Sequence, residues 1–86
     1  MDNKHQKSKI IFPPGEILLE ELEARNLSQS DFAIRLNRPL ETVSEIIKGK
    51  KSITPESAND IAAALGTSPE LWLGLQEDYY SYKNQG

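Results

Sequence analysis

The segment Arg35-RLNRPLETVSEIIKGKK-Lys51 decides how the rest of this chain is read. Asn37 stands where a helix ends in a left-handed conformation, which asparagine tolerates better than most residues. Pro39 stops any continuation, and a second helix is predicted to begin at once, running roughly from Leu40 to Lys48. Val43, Ile46 and Ile47 have i, i+3, i+4 spacing and must face a core. Gly49 is a natural residue just past the helix end, and "KGKKSIT" from Lys48 to Thr54 follows as a basic loop. Two short helices joined by a tight turn make a helix-turn-helix.

Outward from this segment the same punctuation repeats. Ser28 reads as the N-cap of the preceding helix, with Asp31 three residues on, and Phe32, Ala33 and Leu36 form its inner face. A first helix is expected from about Pro14 to about Asn26, with Glu16 at its positive end, Leu18 and Leu22 one turn apart, and Ile17 and Leu19 widening the apolar face. Thr54-Pro55 starts a fourth helix with the stripe Ala58, Ile61, Ala62, Leu65, closed by Gly66. Ser68-Pro69 starts a fifth, with Trp72, Leu75, Tyr79 and Tyr82 along one side. Residues 1–9 are polar and expected to form a flexible tail, and "IIFPPGE" from Ile10 suggests a short extended arm. The expected class is all-α, five short helices. Residues 10–76 form the domain, and 77–86 are an extension of the last helix or a tail.

Composition narrows the chemistry. A chain of 86 residues has room for one small core and little depth for a buried active site. It has no cysteine, so disulfides and thiolate metal sites are excluded. No apolar run approaches the ~20 residues that span a bilayer, and the expected location is the cytoplasm, with no membrane partner. His5, the single histidine, lies in the polar tail, and "GKKS" lacks the upstream glycines of a phosphate-binding loop. Neither catalysis nor a cofactor or metal is expected.

The net charge of −3 looks wrong for a nucleic-acid binder, but it is unevenly distributed. Residues 28–53 carry Arg35, Arg38, Lys48, Lys50 and Lys51 against Asp31, Glu41 and Glu45, a net of +2. The segments before and after it, 10–27 and 54–86, are net −3 and −4. The positive stretch coincides with the helix-turn-helix, and the acidic flanks either repel DNA or meet a basic protein partner.

The whole ordered layout resembles the lambda-repressor-like (Xre-type) DNA-binding domains, and "LSQSDFA" from Leu27 to Ala33 is close to that family's first motif helix. "PGEILLEELEARNLSQ", "TVSEIIKGKKSITPE" and "AAALGTSPELWLGLQ" together resemble the HigA family of antitoxins, over about three quarters of the chain. "LGTSPELWLGLQ" from Leu65 to Gln76 is the most specific piece. The resemblance implies a homodimer that binds operator DNA, represses its own operon and neutralises a HigB-type toxin, a small basic ribonuclease that cuts mRNA at the ribosome. The chain departs from the family's usual pattern at Pro13, Asn37, Arg38, Leu40 and Glu41. Leu40 and Glu41 replace a more polar or basic start of the recognition helix, which bears on sequence preference.

With Val43, Ile46 and Ile47 inward, Leu40, Glu41, Ser44, Glu45 and Lys48 point outward and Thr42 lies at the edge. Leu40 can meet a thymine methyl, and Glu41 or Glu45 can accept from a cytosine amino group. The competing reading of Glu41 is stabilisation of the helix dipole, and of Leu40 ordinary packing. Thr42 and Ser44 can donate to bases or phosphates. Ser28, Gln29 and Arg38 are candidate backbone contacts, and Lys48, Lys50 and Lys51 should neutralise phosphates unless they are a solvated loop. Leu71, Trp72, Leu75 and Tyr79 are candidates for a dimer interface, with Leu71 and Trp72 shared between core and interface. Two other readings stay open: a plain transcriptional regulator with no toxin partner, and the N-terminal interaction module of a longer protein.

Overall fold

A computed structural model describes residues 11–85. The expected tail 1–9 and Ile10 of the arm lie outside the described residues. Five helices follow in order: α1 Pro14–Ala24, α2 Gln29–Leu36, α3 Leu40–Ile47, α4 Pro55–Leu65 and α5 Pro69–Gln85. No strand occurs among the described residues. Ile11 to Pro13 enter as irregular backbone, and Pro13, with φ fixed at −61° by its ring, is extended through its ψ of 148° and leads into α1.

The helix starts follow the side-chain chemistry. Ser28 Oγ accepts from the Asp31 amide at 3.0 Å and caps α2. Thr54 and Ser57 cap α4 reciprocally: the Ser57 amide donates to Thr54 Oγ1 at 3.1 Å and the Thr54 amide to Ser57 Oγ at 2.9 Å. Ser68 Oγ accepts from the Leu71 amide at 3.1 Å at the head of α5.

The helix ends share one device. Asn26 (φ 56°), Asn37 (φ 57°), Gly49 (φ 80°) and Gly66 (φ 75°) turn left-handed after α1 to α4. After each of these four helices the amide of the following residue reaches back to close the last turn: Leu27 to Leu22, Arg38 to Ala33, Lys50 to Glu45 and Thr67 to Ala62. This motif sets each helix direction within two residues. Thus α1 through α4 are joined by short connections that fold back on one core.

That core gathers Leu18 and Leu22 of α1, Phe32, Ala33 and Leu36 of α2, Val43 and Ile46 of α3, Ile53, four residues of α4, and Trp72 of α5. Ile47, expected to face inward, is half-buried at the edge of the cluster. The packed pairs are α1 with α3, α2 with α3, α2 with α4, α4 with α5, and α1 with α5. At the α1–α3 crossing the backbones come close enough that Gly15 has no space for a Cβ. Arg25 Nη2 donates to the Leu65 carbonyl at 3.0 Å, which satisfies an open carbonyl at the end of α4. The helix α5 runs without a break through residue 77, where the sequence placed the end of the domain.

Candidate nucleic-acid interface

Helix α3 buries Val43 and Ile46 and turns its other side outward. That side is an open groove lined by Leu40, Glu41, Ser44, Glu45, Lys48 and Lys50. Leu40 is 44% exposed, a large apolar side chain presented to solvent at the first position of the helix. Glu41 beside it is exposed in the first turn, so both of its sequence readings remain compatible with its position. Ser44 lines the groove half-buried, and Thr42, also half-buried, is not among the residues that line it.

Ser44 Oγ donates to Gln29 Oε1 at 2.9 Å and ties α3 to the first residue of α2. The bond uses the acceptor end of the Gln29 amide and leaves its NH2 as donor. Ser28 and Gln29 therefore lie beside the outward face of α3. At the other end of the helix the basic loop folds back: the amides of Lys50 and Lys51 both donate to the Glu45 carbonyl, at 2.8 and 3.2 Å. Lys48, Lys50 and Lys51 are exposed. Lys51 Nζ sits 3.8 Å from Glu45 Oε1, a half-exposed pair that partly offsets the acidic charge of the face.

Arg38 stands apart from this set. Its Nε and Nη2 both donate to Asp60 Oδ2, at 3.1 and 2.5 Å, which fastens the turn between α2 and α3 to α4. The guanidinium that the sequence offered to a phosphate is shared with a carboxylate, a partner invisible to local pattern because it lies 22 residues away.

The α5 candidates divide. Trp72 is 0% exposed, with Nε1 donating to Thr67 Oγ1 at 2.8 Å, so it has no surface to offer a second copy and its interface assignment is corrected to the core. Leu71 is 45% exposed, and Leu75 and Tyr79 are half-buried. Sequence reasoning missed three side chains that hold the site: Asp60, Gln76 and Tyr80. Gln76 had a signal, a polar residue one turn after Trp72 on the same side of a helix, inside the most family-specific segment. Asp60 had none.

Residues 18–72 match the helix-turn-helix family model. The chain belongs to the helix-turn-helix family. The HTH-type transcriptional regulator YddM of Escherichia coli (strain K12) is 38% identical over 63 residues, which cover 73% of this chain and 67% of that protein. An addiction module antidote protein of the HigA family from Coxiella burnetii superposes with a TM-score of 0.76 at 40% identity, over 83% of this chain and 78% of that one. The Pseudomonas aeruginosa antitoxin HigA, solved with the higBA promoter, superposes with a TM-score of 0.81 at 28% identity, over 87% and 83%. The resemblance read from the sequence thus holds at the level of family and fold, and the chain is a helix-turn-helix DNA-binding regulator. Among the described residues no helix is long and apolar enough to cross a membrane, and no group of three or more histidines and carboxylates forms a metal site.

Proposed function

We propose that this chain is an antitoxin that binds the operator of its own operon as a homodimer and neutralises a HigB-type mRNA ribonuclease. The observation that carries the reading is the outward face of α3, flanked at one end by Ser28 and Gln29 and at the other by Lys48, Lys50 and Lys51. Leu40, Glu41, Thr42, Ser44 and Glu45 meet base edges in the major groove, while the lysines and the head of α2 hold phosphates. Arg38 adds charge at the rim while bonded to Asp60. A second copy packs against Leu71, Leu75 and Tyr79, and the dimer engages two half-sites about one helical turn apart. The acidic segments before and after the motif, net −3 and −4, are complementary to a basic ribonuclease.

The test is a gel shift on the DNA upstream of the chain's own gene, with the wild type beside a Lys48→Ala, Lys50→Ala, Lys51→Ala variant. The expected result is a specific shift that the variant loses at moderate salt, with the salt slope read at low salt reduced by about 5.4 for about six phosphates, three from each protomer. Absence of any shift at low salt would remove the operator reading.

A regulator without a toxin partner is the second reading, favoured by the likeness to the Escherichia coli HTH-type transcriptional regulator. Co-expression with the product of the neighbouring gene separates the two. Relief of that product's toxicity supports the antitoxin, and a non-toxic neighbour supports the regulator.

A further inference from the structure

The loop that carries the lysines is held from both sides. On one side is the end of α3, where the Lys50 and Lys51 amides bond the Glu45 carbonyl. On the other side is α5. The Ile53 amide donates to Gln76 Oε1 at 2.6 Å, and Gln76 Nε2 donates to the Ile53 carbonyl at 2.7 Å. One side-chain amide thus closes a ring with both polar groups of one backbone residue, as a neighbouring strand would. One turn further along α5, the Tyr80 hydroxyl is 2.7 Å from Ser52 Oγ. The grip is rooted, because Trp72 anchors α5 in the core one turn before Gln76 and the Ile53 side chain is itself 3% exposed. A glutamine is required for the ring: glutamate lacks the donor and leucine lacks both groups.

We propose that Gln76 and Tyr80 are positioning residues for DNA binding, which hold the Lys50–Ser52 backbone in its phosphate-binding conformation before DNA arrives. The proposal rests on the reading of Lys48, Lys50 and Lys51 as phosphate contacts. Without the clamp the loop must be ordered on binding, and that ordering is subtracted from the affinity. Because α5 also carries Leu75 and Tyr79, the helix offered to a second copy is the one that sets the loop. By linkage, DNA binding then strengthens the dimer as much as dimerisation strengthens DNA binding.

The experiment uses the full chain and the DNA upstream of its gene. Gln76→Leu keeps the volume and removes both bonds, and Tyr80→Phe removes one hydroxyl from a half-exposed ring, so at least one variant keeps the fold. Gln76→Leu is expected to weaken binding about tenfold and Tyr80→Phe about threefold, on the scale of lost hydrogen bonds and lost preorganisation. In both, dimer content measured by analytical ultracentrifugation stays at the wild-type level. The salt slope moves toward that of the lysine variant, and the Ile53 amide exchanges faster with solvent. At low salt, in a Lys50→Ala, Lys51→Ala background, Gln76→Leu is expected to cost less than about twofold, because the groups it positions are gone. Wild-type affinity in both single variants overturns the proposal. So does an equal loss in the lysine-less background with an unchanged salt slope, which assigns Gln76 to the fold alone. If the lysine variant itself binds like the wild type, the phosphate reading fails. If the lysine variant loses binding and the α5 variants do not, only the clamp fails.

Discussion

Gly15→Ala is the substitution whose outcome the packing of this domain determines most directly. A Cβ built on Gly15 falls 2.5 Å from the Ile46 carbonyl oxygen and 2.7 Å from the Ile47 carbonyl carbon, with the Ile47 oxygen also in the way. Ordinary contact begins at about 3.4 Å, so the two helices must part by about 1 Å. The obstacle is backbone on both sides, so no rotamer relieves it. Parting α1 from α3 loosens Leu18 and Leu22 against the core they share with Val43 and Ile46, and a gap of that size forfeits a quarter to a half of each contact. Overpacking costs about 1–3 kcal/mol, and a backbone clash belongs at the upper end. Alanine returns up to about 1 kcal/mol of helix propensity, leaving a net loss of about 2 kcal/mol. For a domain of this size that lowers Tm by about 8–16 °C, read by far-UV circular dichroism at matched protein concentration. Gly74→Ala is the internal control. It makes the same substitution within α5, where the new Cβ meets nothing within 4 Å. It should gain about 1 kcal/mol of helix propensity and raise Tm by about 4–8 °C. A Gly15→Ala protein that melts within about 3 °C of the wild type would refute the close-approach argument, on the same conversion.

Two further outcomes follow from local geometry. Asn37→Ala forces an ordinary side chain into the left-handed conformation at φ 57°, ψ 44° and should cost about 1 kcal/mol in chemical denaturation, although alanine is the better helix former; an unchanged midpoint would contradict the assigned strain. The Arg38–Asp60 pair has side chains 25% and 41% exposed, so a double-mutant cycle on stability should return a coupling below about 1 kcal/mol, and a value above about 2 would mean that solvent screens it far less than its exposure implies.

The helices were legible in the sequence because each is bounded by residues with strong local preferences. Ser28, Thr54 and Ser68 cap starts, Pro14, Pro55 and Pro69 open first turns, and Asn37, Gly49 and Gly66 turn the chain left-handed. These preferences act over three or four residues and do not depend on the rest of the fold. The inward sets Val43 and Ile46, and Ala58, Ile61, Ala62 and Leu65, were equally plain, since a helical period of 3.6 assigns a face without reference to what covers it. By elimination the same period placed Leu40, Glu41, Ser44 and Glu45 on the outside of α3.

Tertiary structure alone decided what the polar side chains outside the helix caps meet. Arg38 is paired with Asp60 across 22 residues, Ser44 with Gln29 across 15, and Gln76 with the backbone of Ile53 across 23. It also decided that Trp72 fills the core while Leu71 beside it faces out, and that Gly15 is required by the backbone of α3 rather than by a turn. The physical reason is range. Capping, turn conformation and hydrophobic period are written in neighbouring residues, whereas a hydrogen-bond partner or a forbidden Cβ exists only once distant helices have been brought together.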